Sequence, residues 1–295
     1  MTERPYVVLS CAISLDGCLD GTGGARLVLS GAADLDRVDA ERAAADAIMV
    51  GAGTIRRDDP RLLVRSAQRR AARAARRLPE HPAGVTITAS GDLDPAARFF
   101  TRDSRGGPPA DGGPPADGGP PADGGAPADD GAPADDGAPA DDGAPADDGA
   151  PADDGAPPQR LVYCASPAVP ALRGRLGGLA EVADAGDPPR LEAVLADLAG
   201  RGVGRLMVEG GARLGTEFLT GGLVDELQLV IAPFFVGDAA APRFAGPGDY
   251  PGGPASRMSL AEVRPVGEVV LLRYLSGGAP ALDGKPGRIS EVRDG

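Results

Sequence analysis

Tryptophan is absent from this 295-residue chain, histidine occurs once, cysteine three times, and aromatic residues make up only 3% of it. These shortages narrow the chemistry. Cys11, Cys18, Cys164 and His81 show no CxxC or HxxxH spacing, so no metal site is expected. His81, set between Glu80 and Pro82, reads as a satisfied surface histidine in a loop, which leaves no histidine-based triad. An odd cysteine count without a secretory signal fits a reducing compartment, and a cytoplasmic location is expected. No apolar run reaches the roughly 20 residues that span a bilayer, so no membrane partner is expected. Arg69, Arg70, Arg73, Arg76 and Arg77 fall on one expected helix, 67–77, but without aromatics to stack on bases. They read as a solvated face, and no nucleic-acid partner is expected.

Glycine (45), proline (30) and aspartate are what the chain has in excess. Much of that excess lies in Gly106–Pro158, about eight tandem hexamers passing from GGPPAD to DGAPAD. Its thirteen aspartates equal the whole net charge of −13; without them, thirty acidic residues face thirty basic ones. The pI near 4.6 therefore describes the repeat and not the rest of the chain. With no apolar side chain beyond Ala and Pro, the repeat cannot offset its ordering entropy, and a disordered loop expansion is expected. It lacks the ligand spacing of a calcium loop. Glycine and proline also mark the stretch from Ser276 as a flexible tail. One domain over 1–275, interrupted at 106–158, is the expected organisation.

Outside the repeat, apolar runs and helical periods alternate. Strands are expected at 6–13, 47–50, 85–88, 161–164, 205–208, 225–233 and 268–275, and helices near 33–45, 67–77, 188–199 and 212–220. That is the pattern of an α/β domain with a mixed sheet. The richest stretch runs from Gly204 to Gly237. There RLMV ends in Glu209, Gly210 and Gly211 follow, and Ala212–Leu219 opens a helix with Leu214 and Phe218 on one face. A helix entered through glycine presents uncovered amides to an anion such as a pyrophosphate, and a ligand outside the strand's carboxyl end would meet Glu209. Ala47–Val50 runs likewise into Gly51-Ala52-Gly53-Thr54. Two strands ending in glycines suggest two halves of a dinucleotide cleft, where one alone would suggest a tight turn.

SLDG at 14–17, VGAGT with DDPRL between 50 and 62, and VEGG followed by GLVDEL up to Leu227 resemble, in order and spacing, the reductase domain of bacterial riboflavin biosynthesis, the RibD C-terminal domain family. The resemblance covers roughly residues 4–275 without the repeat. It implies a three-layer α/β/α, dihydrofolate reductase-like fold with a mixed, mostly parallel sheet. It also implies an NADPH-dependent oxidoreductase that reduces the ribosyl group of a phosphoribosylamino-pyrimidine to ribityl, and a homodimer. No zinc-deaminase motif is present, so only the reductase step is expected.

By the same resemblance, Ala12, Thr54, Asp58, Ser90 and the run Gly210, Gly211, Ala212, Arg213, Leu214 and Gly215 match cofactor-contacting positions. Arg42, Leu62, Arg65 and Glu209 match substrate-contacting ones. Arg42 and Arg65 are fixed cations suited to a phosphate. Glu209 would accept from the ring amide edge or assist protonation, with Asp16 supporting it. Arg56 or Arg57 would meet the cofactor 2′-phosphate. Two departures fall near the expected site. A usual basic residue after SLDG is replaced by Cys18, read as a plain loop thiol, and a usual Ser-x-Trp pair by Arg26-Leu27-Val28. They leave open a divergent reductase of another pterin, pyrimidine or carbonyl substrate. A non-catalytic NADP-binding protein is the remaining alternative.

Overall fold

A computed structural model describes residues 4–23, 27–101 and 158–277. The expected repeat (all but its last residue), Arg26 and the tail beyond Gly277 lie outside them. Among the described residues nine strands form one sheet: β1 (Tyr6–Ile13), β2 (Ala47–Gly51), β3 (Ala83–Thr88), β4 (Arg160–Cys164), β5 (Glu181–Asp184), β6 (Arg205–Glu209), β7 (Glu226–Ile231), β8 (Ser259–Val266) and β9 (Val269–Leu275). Their spatial order is β5-β4-β3-β2-β6-β1-β7-β9-β8. The first seven in that order run parallel, whereas β9 is antiparallel to β7 and β8 to β9. The helices are α1 (Ala32–Ala44), α2 (Ala52–Asp58), α3 (Ala67–Ala75), α4 (Val169–Leu176), α5 (Leu191–Gly200) and α6 (Ala212–Thr220).

Strand alternation builds the layers. In β2, Ala47 and Met49 point to one face, where they join Leu195 and Leu198 of α5 and Leu214 and Phe218 of α6. Ile48 and Val50 point to the other, against Ile55 of α2 and Leu172 and Leu176 of α4. A strand apolar on both faces is what a parallel sheet covered by helices on both sides requires. The three-layer α/β architecture with a mixed, mostly parallel sheet is thus present.

Four elements were not anticipated. β5 and β8 are the two edge strands; β5 is four residues long, and β8 carries charge and a proline along SLAEVRPV, so neither shows a buried-strand pattern. α4 holds Pro170 and Gly174. α2 begins within the glycines that follow the second strand. β7 stops at Ile231, so Phe234 and Phe235 lie in the loop beyond it, with Phe235 71% exposed. The solvated face expected of α3 is also corrected. Arg73 is buried and donates to the carbonyls of Ala43, Ala45 and Pro79, while Arg69 forks onto Asp36 and reaches Asp39 of α1. His81 is satisfied, but buried and not at the surface: its Nδ1 accepts the Val64 amide at 3.1 Å.

Connectivity decides where a ligand can lie. From β2 the chain passes over one face to β3, its neighbour on one side. From β6 it passes through α6, over the other face, to β7, beyond β1 on the opposite side. The two departures diverge at the β2–β6 boundary, which leaves the crevice at their carboxyl ends uncovered by either helix.

Candidate active site

The consecutive strands β3, β2, β6 and β1 deliver the motif residues to one edge. Ser90 follows β3, Gly51 closes β2, Glu209 closes β6 and Ala12 stands next to last in β1. Gly51 is level with Ile87 of β3, and Glu209 with Ser10 of β1. Sequence positions some 200 residues apart therefore line one crevice.

Gly210 and Gly211 have φ of +69° and +89°, which side-chain-bearing residues rarely adopt. A Cβ on Gly211 would lie 3.1 Å from Thr54 Oγ1, and one on Gly210 3.6 Å from Thr54 Cγ2. The turn after β6 and the start of α2 are thus packed against each other. Gly211 is also the N-cap of α6, with no side chain capping that end. The first-turn amides of α6 have no side-chain acceptor there, which is the donor set an anion needs. Within the run 210–215, Leu214 and Gly215 pack inward, while Arg213 is exposed and paired with Glu217 at 2.9 Å. Asp58 ends α2 and is half-buried; Ser90 is exposed, and its Oγ accepts the Asp92 amide. Arg56 donates to the Asp92 carbonyl, and Arg57 lies 4.0 Å from Asp20.

On the other side of the crevice, Arg205, Met207 and Glu209 share the face that α1 covers. Arg205 meets Glu41 at 3.1 Å, and Glu209 meets Arg42 in the helix's last turn. Arg42 Nε donates to Glu209 Oε1 at 2.8 Å and Nη2 to Oε2 at 2.7 Å, a two-pronged pair only 15–16% exposed. Its Nη1 donates to the Leu63 carbonyl at 3.1 Å. That carbonyl belongs to a loop in which Asp59 and the fully buried Leu62 both take positive φ, +42° and +55°. α1 holds the loop in this shape. Asp39 accepts the amides of Arg65 and Ser66, and Arg65 Nη2 donates to the Leu35 carbonyl at 2.9 Å. Arg42, Leu62, Arg65 and Glu209 are thereby brought together. Asp39 was missed from sequence, although its place three residues before Arg42 puts it on the same helical face.

Asp16 is a brace. Its carboxylate accepts from Ser14 Oγ at 2.5 Å and from the amides of Gly237 and Val236 at 2.8 and 3.1 Å. Those bonds, the Ser14 hydroxyl foremost, hold it well below the usual carboxylate range. They join the SLDG turn to the loop after β7. Cys18 is fully buried in the turn after β1, where its backbone pairs with that of Arg243. Arg243 donates to the Asp16 carbonyl, so a guanidinium that no local motif could reveal stands beside the turn. On β1, Cys11 is pushed up to about 12 by burial, which keeps it a neutral thiol.

A cavity of about 160 Å³ opens at the opposite edge of the sheet, lined by Asp46, Arg73 and His81 among others. Its charges are already committed: Asp46 to the amides of Gly204 and Arg205, and Arg73 to carbonyls. It is remote from every motif residue. Among the described residues no cluster of His, Cys, Asp and Glu could hold a metal ion, and no helix is long and apolar enough to cross a membrane.

The chain matches the model of the RibD C-terminal domain over residues 5–106 and 178–272. It is 31% identical over 277 residues to the 2,5-diamino-6-ribosylamino-4(3H)-pyrimidinone 5′-phosphate reductase of Methanothermobacter thermautotrophicus, covering 93% of this chain and 100% of that one. The protein of the same name from Archaeoglobus fulgidus is 29% identical over 241 residues, covering 81% and 85% of the two chains. Among solved structures, RibD of Acinetobacter baumannii superimposes with a TM-score of 0.62 at 20% identity, over 93% of this chain. This chain spans 58% of that longer protein, and at such identity the likeness concerns the fold.

Proposed function

The chain belongs to the RibD C-terminal domain family, and from that membership we propose that it is an NADPH-dependent reductase of a phosphorylated ribosylamino-pyrimidine, converting the ribosyl group to ribityl. The observation that carries the reading is the crevice at the β2–β6 boundary. There a glycine cradle with uncapped helix amides faces Thr54 on one side and the Arg42–Glu209 pair on the other. The cradle fits a dinucleotide pyrophosphate, because two positive-φ glycines bring the backbone to the end of α6 and no side chain caps that end. The amides opening α6 would hold that anion, and Arg56 or Arg57 would meet the 2′-phosphate. Arg65, anchored on the Leu35 carbonyl, offers its cation to the substrate phosphate. Glu209 accepts from the pyrimidine edge, and the Asp16 brace fixes the turn beside it. When bound, the nicotinamide would supply a hydride to the sugar carbon of the open-chain imine, whose nitrogen takes a proton from solvent. Positioning does most of the catalysis, with neither metal nor histidine.

Loss of NADPH absorbance on adding the diamino or the deaminated phosphoribosylamino-pyrimidine tests this reading. Turnover with one of them, absent with the dephosphorylated compound, is expected. Normal NADPH binding without oxidation by either would favour the second reading, a reductase of another pterin, pyrimidine or carbonyl compound. Buried Cys18, at the position where the family usually carries a basic residue, supports that alternative. We also infer a homodimer, supported by exposed Leu260, Val263 and Val270 on the β8–β9 hairpin. Light scattering at twice the chain mass is the expected result.

A further inference from the structure

Glu209 is the acid nearest the glycine cradle, and two roles are open to it: proton donor or fixed acceptor. The geometry decides. Each carboxylate oxygen has two lone-pair directions, and the two prongs of Arg42 take one on each, at 2.8 and 2.7 Å. One direction per oxygen remains, on a carboxylate held between a helix and a strand end. The same guanidinium donates to the Leu63 carbonyl, next to Leu62 in its left-handed conformation. One side chain therefore sets both the acceptor and the loop that carries Leu62 and Arg65.

We propose that Arg42 is a positioning residue, which fixes Glu209 as a hydrogen-bond acceptor and couples it to the 59–66 loop, so that the ligand is read through ring N–H or amino donors. This rests on the reductase reading and deepens it, because it defines the edge of the heterocycle that enters the site. A ring presenting only acceptors to Glu209 is rejected, since its lone pairs would face a buried carboxylate. Lysine cannot replace Arg42, because a point donor cannot fork onto two oxygens and still reach a carbonyl.

The test compares wild type, Arg42→Lys, Glu209→Gln and the double variant by kcat and KM for the phosphorylated pyrimidine, with NADPH affinity and thermal unfolding alongside. Each single change is expected to lower kcat/KM by about tenfold or more, roughly 1.4 kcal/mol, and the double change no further than the worse single one. NADPH affinity should stay within about twofold, because the cradle lies on the other side of the crevice. Losses that multiply in the double variant, or a wild-type kcat/KM in Arg42→Lys, would overturn the proposal. Should Arg42→Lys not fold, Glu209→Asp decides: it keeps the charge but draws the carboxylate back by one methylene. It should lose as much as Glu209→Gln, and wild-type behaviour would overturn the coupling. Absence of turnover in the wild type overturns the underlying reading before any substitution is compared, and the proposal with it.

Discussion

Gly211 concentrates two requirements in one residue: a φ of +89° and a tight approach to Thr54, whose Oγ1 would lie 3.1 Å from a Cβ. A valine there meets both obstacles. The left-handed conformation alone costs a branched residue about 1–2 kcal/mol, and the clash moves the amides that open α6. Gly211→Val is expected to weaken NADPH binding about a hundredfold, near 3 kcal/mol, in a fluorescence titration; unchanged affinity would place the cofactor elsewhere. Asp16 gives a pH-dependent counterpart. Its folded pKa lies below the ordinary carboxylate value of about 3.9, so at acid pH the unfolded chain binds more protons than the native one. The brace stabilises fully above that ordinary value and is lost as pH falls through the lower, native one. Urea midpoints measured from pH 7 downward should therefore fall less steeply below about pH 4 in Asp16→Asn than in wild type.

At the scale of elements, the strands built from continuous apolar runs were legible, because burial on both faces leaves no polar alternation to mislead the eye. The edge strands β5 and β8 were not, since their sequences answer to solvent as much as to the core. α1 was legible as a helix but not as a scaffold. It buries Arg37 and Asp39, which reach Gln228 and the amides of Arg65 and Ser66 in distant segments, and no local period announces that. Asp39 shows the consequence. It accepts two loop amides and pairs with Arg69 at 2.9 Å while only 3% exposed. Asp39→Ala leaves the half-buried Arg65 and Ser66 amides without their acceptor, while Arg69 keeps Asp36, and is expected to destabilise the fold by about 2 kcal/mol in urea unfolding. It should also raise KM, because Arg65 and Leu62 lose their mooring; Asp39→Asn should lose less.

For the whole molecule, the repeat at 106–158 falls between β3 and β4, two paired parallel strands whose residues on either side belong to the core. It offers no apolar side chain larger than Ala or Pro. Replacing Gly106–Pro158 by a short flexible linker is expected to leave turnover within about twofold and the thermal midpoint nearly unchanged, because loop closure varies only logarithmically with length. A large loss of activity with folding intact would give the repeat a part in the site. By itself the sequence determined the class of fold, the left-handed glycines before α6 and the kinds of group at each strand end, because these follow from local sterics and from apolar runs that a parallel sheet must bury. Which ends share a crevice was decided by strand order alone, with β6 inserted between β2 and β1. The pairing of Arg42 with Glu209, the burial of Cys18 and His81, and the approach of Arg243 to the SLDG turn were likewise tertiary. Each joins segments distant in the chain, and a side chain's partner across such a distance is set by packing, for which a single sequence carries no local signal.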